Sequence, residues 1–163
     1  MTPTEQYIDA LSRLKAGYLS LLRSHAGQRL DESVDGFDLF SGIWWPLRQQ
    51  YQRAPRREVA WLVAKLYALC PVESEPGASL AHQLGRSEPT NDDARKAYRQ
   101  RFDHILRQPL VELEPSLRWA LDELASKNLK LDWVQLTDDL SIWEREATRT
   151  GWAEIFLGAQ ERN

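Results

Sequence analysis

From Tyr7 to Phe156 the apolar residues of this chain recur at three- and four-residue spacing, and prolines and glycines cut the pattern into segments. No run alternates apolar with polar for more than a few residues. A strand half-buried in a sheet needs that alternation, whereas a helix needs a period near 3.6. The chain therefore predicts an all-α fold, a helical bundle. Its clearest segment begins at Pro55. Val59, Leu62, Val63, Leu66, Tyr67 and Cys70 form one stripe, and Pro71 ends it.

The other segments follow the same logic. Thr2-Pro3-Thr4-Glu5 is a helix start, with Thr2 as cap and Pro3 in the first position. Tyr7, Leu11, Leu14, Tyr18, Leu21 and Leu22 continue it as one helix, and Gly27 is the expected stop. Residues 27–36 read as a loop. Phe37, Phe40, Ile43, Trp44 and Leu47 make a short pattern disturbed by Gly42 and Pro46. Residues 71–78 read as a loop, and a short helix around Ala78–Leu84 ends at Gly85. Asn91 caps a helix carrying Ala94, Tyr98, Phe102, Ile105 and Leu106, which Pro109 breaks. Pro115 opens the next, with Leu117, Ala120, Leu121 and Leu124 inward. Asp132 caps another, with Trp133, Leu136, Leu140 and Trp143 inward, and the last carries Trp152, Ile155 and Phe156.

A chain of 163 residues is one domain or two small lobes sharing a core, and it buries enough surface to need no staple. The polar segment Arg86–Asn91 is the expected boundary, giving lobes of residues 1–87 and 88–163. The single cysteine, Cys70, lies in an apolar helix and reads as a buried thiol. No apolar stretch follows a basic start, and no run approaches the ~18 apolar residues of a membrane span. A cytoplasmic location and no membrane partner are expected.

Charge is distributed unevenly. The chain holds 16 Arg against 5 Lys and a net charge of −3. Arg48, Arg53, Arg56 and Arg57 occupy Leu47–Arg57 with no acid between them. Arg95, Lys96, Arg99, Arg101 and Arg107 occupy Arg95–Arg107 against Asp103 alone. Each window carries +4, which leaves −11 for the remainder. Arginine's planar fork matches phosphate, and two such windows on an acidic chain point to an anionic partner. Arg53, Arg56 and Arg57 also precede or begin a helix, where cations oppose the helix dipole and local structure gains nothing from them. Phosphate suits that place doubly, through the arginines and the free backbone N–H groups.

Signs of catalysis are missing. His25, His82 and His104 have no ligand partner at metal-site spacing, and no HExxH, phosphate loop or GxGxxG is present. Asp138 and Asp139 stand about 100° apart on a helix and cannot clasp one metal, and Asp122–Glu123 fail likewise. The reading is a binding protein, not an enzyme, with no catalytic residue, metal or cofactor.

The order of several segments resembles the CasB family, the small subunit of the type I-E CRISPR surveillance complex Cascade. Those segments are the amphipathic N-terminal helix, Phe37-Asp38-Leu39-Phe40 through Trp45-Pro46, and the helix from Arg56-Arg57 to Leu66-Tyr67-Ala68-Leu69. Gly77-Ala78-Ser79-Leu80, Arg101 and Arg107, Leu117-Arg118, Asp132-Trp133, Trp143 and Trp152–Phe156 follow. The resemblance implies an all-α protein of two packed lobes that cuts nothing. It implies two copies head to tail, contacting the crRNA-guided backbone subunits, the large subunit, the target and non-target DNA strands and the crRNA. It implies stabilisation of the R-loop during antiviral defence. Family basic positions fall at Arg57, Arg101, Arg107, Arg118 and Arg149, with Arg53, Arg56, Arg99 and Arg145 as neighbouring candidates. Glu144, Glu146 and Glu154 around Arg145 and Arg149 depart from the more basic pattern of some relatives. The alternative is a free-standing helical DNA-binding regulator. The connection Gly85–Asn91 is too long and proline-bearing for a helix-turn-helix.

Overall fold

The computed structural model describes residues 1–29, 34–70 and 72–161, and over 34–40 and 160–161 it describes the helical backbone alone. The described residues form nine α-helices and one isolated parallel bridge between Ser74 and Leu131. The all-α expectation holds. None of these helices is long and apolar enough to cross a membrane. The chain divides into two compact units, Met1–Pro71 and Val72–Asn163.

The first unit contains α1 (Pro3–Ser12), α2 (Ala16–Ser24), α3 (Val34–Gln50) and α4 (Arg57–Leu69). Its centre is α4. Every residue from Val59 to Leu66 is buried there, so the stripe read from the sequence widens to nearly the whole circumference. Lys65 is buried too, and its ammonium donates to the Gln28 carbonyl at 2.7 Å, which also accepts from Trp61 Nε1 at 2.8 Å. Tyr7 reaches across from α1 to donate to the Ala60 carbonyl at 2.5 Å. Thr2 caps α1 as expected, accepting from the Glu5 N–H at 3.1 Å. Gly27 adopts φ +79°, the left-handed conformation that ends α2's chain path at low steric cost. Cys70 is buried, as read.

Two sequence expectations fail in this unit. The single N-terminal helix is broken over Arg13–Lys15, where Arg13 turns to φ −97°, ψ 0° and Lys15 is extended. An unbroken helix of that length would run about 33 Å, against about 20 Å for the 13-residue α4. The break lets α1 lie against α3, with Tyr7 reaching the Ala60 carbonyl, while α2 packs against α4. The second difference is α3, which runs unbroken through Gly42 and Pro46. Proline's ring removes one ladder bond and crowds the carbonyl four residues back, which here belongs to Gly42. Both residues are exposed, so that carbonyl is open to solvent rather than buried without a donor. The helix also starts at Val34, inside the expected loop. The side chains of Phe37 and Phe40 lie outside the described residues, as do residues 30–33 of that loop.

The second unit contains α5 (Leu80–Arg86), α6 (Asp92–Arg107), α7 (Glu114–Ser126), α8 (Trp133–Ser141) and α9 (Glu146–Glu161), with a 3-10 turn at Leu110–Glu112. Ser79, Asn91 and Asp132 cap α5, α6 and α8, each side chain accepting a backbone N–H. Leu117, Ala120, Leu121 and Leu124 line the buried face of α7, as the periodicity predicts. Phe102 stacks on Phe156 at 4.2 Å between centroids, and Trp143 meets Trp152 edge-on at 4.9 Å. The indole N–H groups of Trp133, Trp143 and Trp152 donate to Val72 O, Gln108 O and Asp139 Oδ2 at 2.8, 2.9 and 2.9 Å. Gly85 does not stop α5, which continues to Arg86. Its role is close approach, since a Cβ there would lie 2.4 Å from the Phe156 carbonyl oxygen on α9.

The division at Pro71–Val72 falls well before the expected boundary at 87/88. Residues 72–91 belong with the C-terminal helices because their polar groups are satisfied there. Leu131 N–H donates to the Glu73 carbonyl at 2.9 Å, and Tyr98 hydroxyl donates to the Leu84 carbonyl at 2.6 Å. Burial, with the Glu123 and Glu88 carboxylates nearby, pushes the Tyr98 phenol well above its ordinary pKa, so it remains a donor. Lys127 Nζ donates to the Ser87 carbonyl at 2.5 Å.

Candidate nucleic-acid interface

In the first unit the turn Tyr51–Arg56 sets the geometry of three arginines. Arg48 Nη1 donates to the carbonyls of Gln52 and Ala54 at 2.8 and 2.7 Å, and Trp44 Nε1 donates to the Pro55 carbonyl at 2.5 Å. Arg48 is thus spent on the turn. The clamped turn, with Ala54 and Pro55 buried, leaves Arg53 exposed at its tip. Arg56 is half-buried in the N-cap position of α4, and Arg57 is exposed at the first helical position. No side chain caps α4. Arg57 Nη2 lies 3.7 Å from Glu58, with both side chains half in water, so the pair contributes little.

In the second unit the basic residues of α6 separate onto different flanks. Tyr98, Phe102 and Ile105 face inward. Arg95 and Arg99 lie on one flank and clasp Glu88, Arg95 Nε at 3.1 Å and Arg99 through two nitrogens. Glu88's side chain is only 6% exposed, and its hydrogen bond raises the Arg99 pKa. This clasp closes the segment between α5 and α6 onto α6, so Arg99 has a structural partner already. Arg107 points outward and pairs with Asp103 at 2.7 Å, one turn back, with both side chains largely in water. Such a pair exchanges readily for phosphate.

Arg101 lies on the opposite flank. Its guanidinium sits 5.4 Å from the centroid of the Trp119 indole on α7. Arg118 is exposed on α7, about 100° round the helix from both Leu117 and Trp119. Arg145 is exposed in the turn before α9, and Arg149 is half-buried on α9 with its Nε buried. In the first unit Arg53, Arg56 and Arg57 lie in the turn before α4 and at its start. In the second unit Arg101 meets Trp119, while Arg99 is held on Glu88.

His25 is buried, its Nδ1 2.8 Å from Gln28 Oε1 and its ring against Trp61. Among the described residues no group of three His, Cys, Asp or Glu converges on one point. Asp139 is occupied by Gln135 and Trp152. Trp119 is the residue that sequence reasoning passed over. Its signal was legible: it lies about 200° from Leu117 on α7, off the apolar stripe its neighbours follow.

A family model described as CRISPR-associated protein Cse2 matches residues 18–156, a span that includes all nine arginines. The chain belongs to the Cse2 family. That membership makes it a small subunit of a CRISPR Cascade complex. Solved structures agree with the fold of this Cse2 chain. CasB from M. ruber superposes with a TM-score of 0.77 at 21% identity, over 99% of this chain and 97% of that one. CasB from Thermus thermophilus gives 0.72 at 23% identity, over 97% and 99%. CasB from Thermobifida fusca gives 0.72 at 17% identity, over 95% of each. Comparison with curated protein sequences gives no match.

Proposed function

We propose that this Cse2 chain is the non-catalytic small subunit of a type I-E Cascade and stabilises its R-loop by binding nucleic-acid backbone. Guide pairing reads the sequence, so the subunit needs only charge and shape. Two copies lie head to tail beside the backbone and large subunits, and their arginines hold the displaced non-target strand and the crRNA–target region. Arg57, Arg101, Arg107 and Arg118 are the main contacts, with Arg53, Arg56 and Arg149 beside them. Arg145 sits among acids and Arg99 on Glu88, so both contribute less.

The observation that carries the reading is the exposure of those four arginines on an acidic chain, at positions where packing does not require them. Exchanging DNA duplex for heteroduplex is nearly balanced, so a few phosphate contacts tip it. The test is binding of labelled oligonucleotides by the isolated subunit across a salt series. Sequence-independent affinity of roughly 10⁻⁴–10⁻⁶ M at physiological salt is expected, falling steeply as salt rises. Strong preference for one short sequence, surviving high salt, would overturn binding through the backbone.

A further inference from the structure

Ala97, Gln100, Arg101 and His104 of α6 and Ser116 and Trp119 of α7 line an open groove of about 450 Å³ within the second unit. That volume lies in the range of small-ligand sites, roughly 300–1,000 Å³. None of those six residues is acidic, on a chain of net charge −3. The indole is half-buried, fixed edge-on by Tyr98 at 5.3 Å, and its presence is not explained by the stripe that packs α7. Arg101 lies over the ring. Ser116 is committed, donating to Gln108 Oε1 at 2.5 Å. Gln100 and His104 are left at the rim, and between them they offer donors and acceptors that can meet any base edge.

We infer that this groove is a stacking site for one unpaired nucleobase, with the Trp119–Arg101 pair as its platform and the guanidinium shared with the flanking phosphate. Indoles and guanidinium planes both accept bases face to face, and such stacking tolerates any sequence. Bases inside a duplex have both faces covered, so the groove selects single strand. The inference rests on the nucleic-acid reading above and narrows its ligand to unpaired strand in the second unit.

The experiment measures, at low salt, binding of the full chain to a labelled oligothymidylate, to an abasic oligomer of equal length and charge, and to a duplex. Stacking on an aromatic side chain is worth about five- to a hundredfold in affinity per base. The oligothymidylate should bind tighter than the abasic strand by about that factor. Trp119→Leu should erase the difference while leaving abasic binding unchanged. Arg101→Lys, which keeps the charge and loses the plane, should reduce the difference without altering the salt slope, and Trp119→Phe should restore most of what Trp119→Leu removes. Equal binding of thymidylate and abasic strands by the unsubstituted chain overturns the stacking site and leaves the phosphate reading standing. Binding to none of the three overturns both.

Discussion

Replacing Arg57, Arg101, Arg107 and Arg118 together by alanine is expected to flatten the salt dependence of target binding by roughly 3–4 units on log–log axes. Each lost phosphate contact removes ~0.9 unit on duplex and ~0.7 on single strand. Between 50 and 200 mM salt that slope amounts to on the order of a hundredfold in affinity. The fold should survive. Arg57, Arg107 and Arg118 project from helix surfaces, and the two ion pairs they include are solvent-exposed. Arg101 loses only its contact with the Trp119 ring. Exposed substitutions of this kind shift stability by about ±0.5 kcal/mol each. The measurement pairs target-DNA binding by complexes reconstituted with the variant and circular dichroism of the subunit alone. An unchanged slope with unchanged helicity would remove these arginines from the interface.

Trp133→Ala is expected to be the most damaging single truncation. The ring is fully buried, and its N–H satisfies the carbonyl of Val72, itself buried. Truncating a buried tryptophan costs about 3–5 kcal/mol through lost transfer energy and cavity. Leaving the carbonyl unpaired adds about 1–3 kcal/mol. Total stabilities run about 5–15 kcal/mol, so the variant should melt roughly 8–30 °C lower or fail to accumulate folded. Trp45→Ala is the control. Trp45 is 50% exposed on α3, and its loss should leave the midpoint within a few degrees. Equal midpoints for the two variants would contradict the packing described for the second unit.

The sequence was most readable where structure is local. Thr2, Asn91 and Asp132 each cap the helix they were read to cap, because an N-cap depends on a side chain and an N–H three residues away. The stripes of α4 and α7 bury as the period requires. It was least readable where a distant partner decides. The break at Arg13–Lys15 accompanies the packing of α1 against α3 and of α2 against α4, which no pattern within residues 3–24 encodes. Arg86–Asn91 has the composition of a linker, yet Arg99 and Lys127 pin it, through Glu88 and the Ser87 carbonyl. Arginine counting found the basic windows. It did not foresee that Arg48 serves a turn and Arg99 serves Glu88, because that depends on which acceptors folding brings near. Trp119 was legible as an off-stripe indole, but its meeting with Arg101 depends on how α6 packs against α7.

R-loop stabilisation is tested most directly by comparing two affinities of the Cascade complex, for duplex target and for target already opened, with and without this subunit. Complexes lacking it should still hold crRNA. They should bind duplex target poorly and be much less affected on the opened target, because the strand-separation cost is already removed. Equal weakening on both targets would contradict a role in holding the displaced strand, and would leave the arginines serving the guide–target duplex or assembly alone.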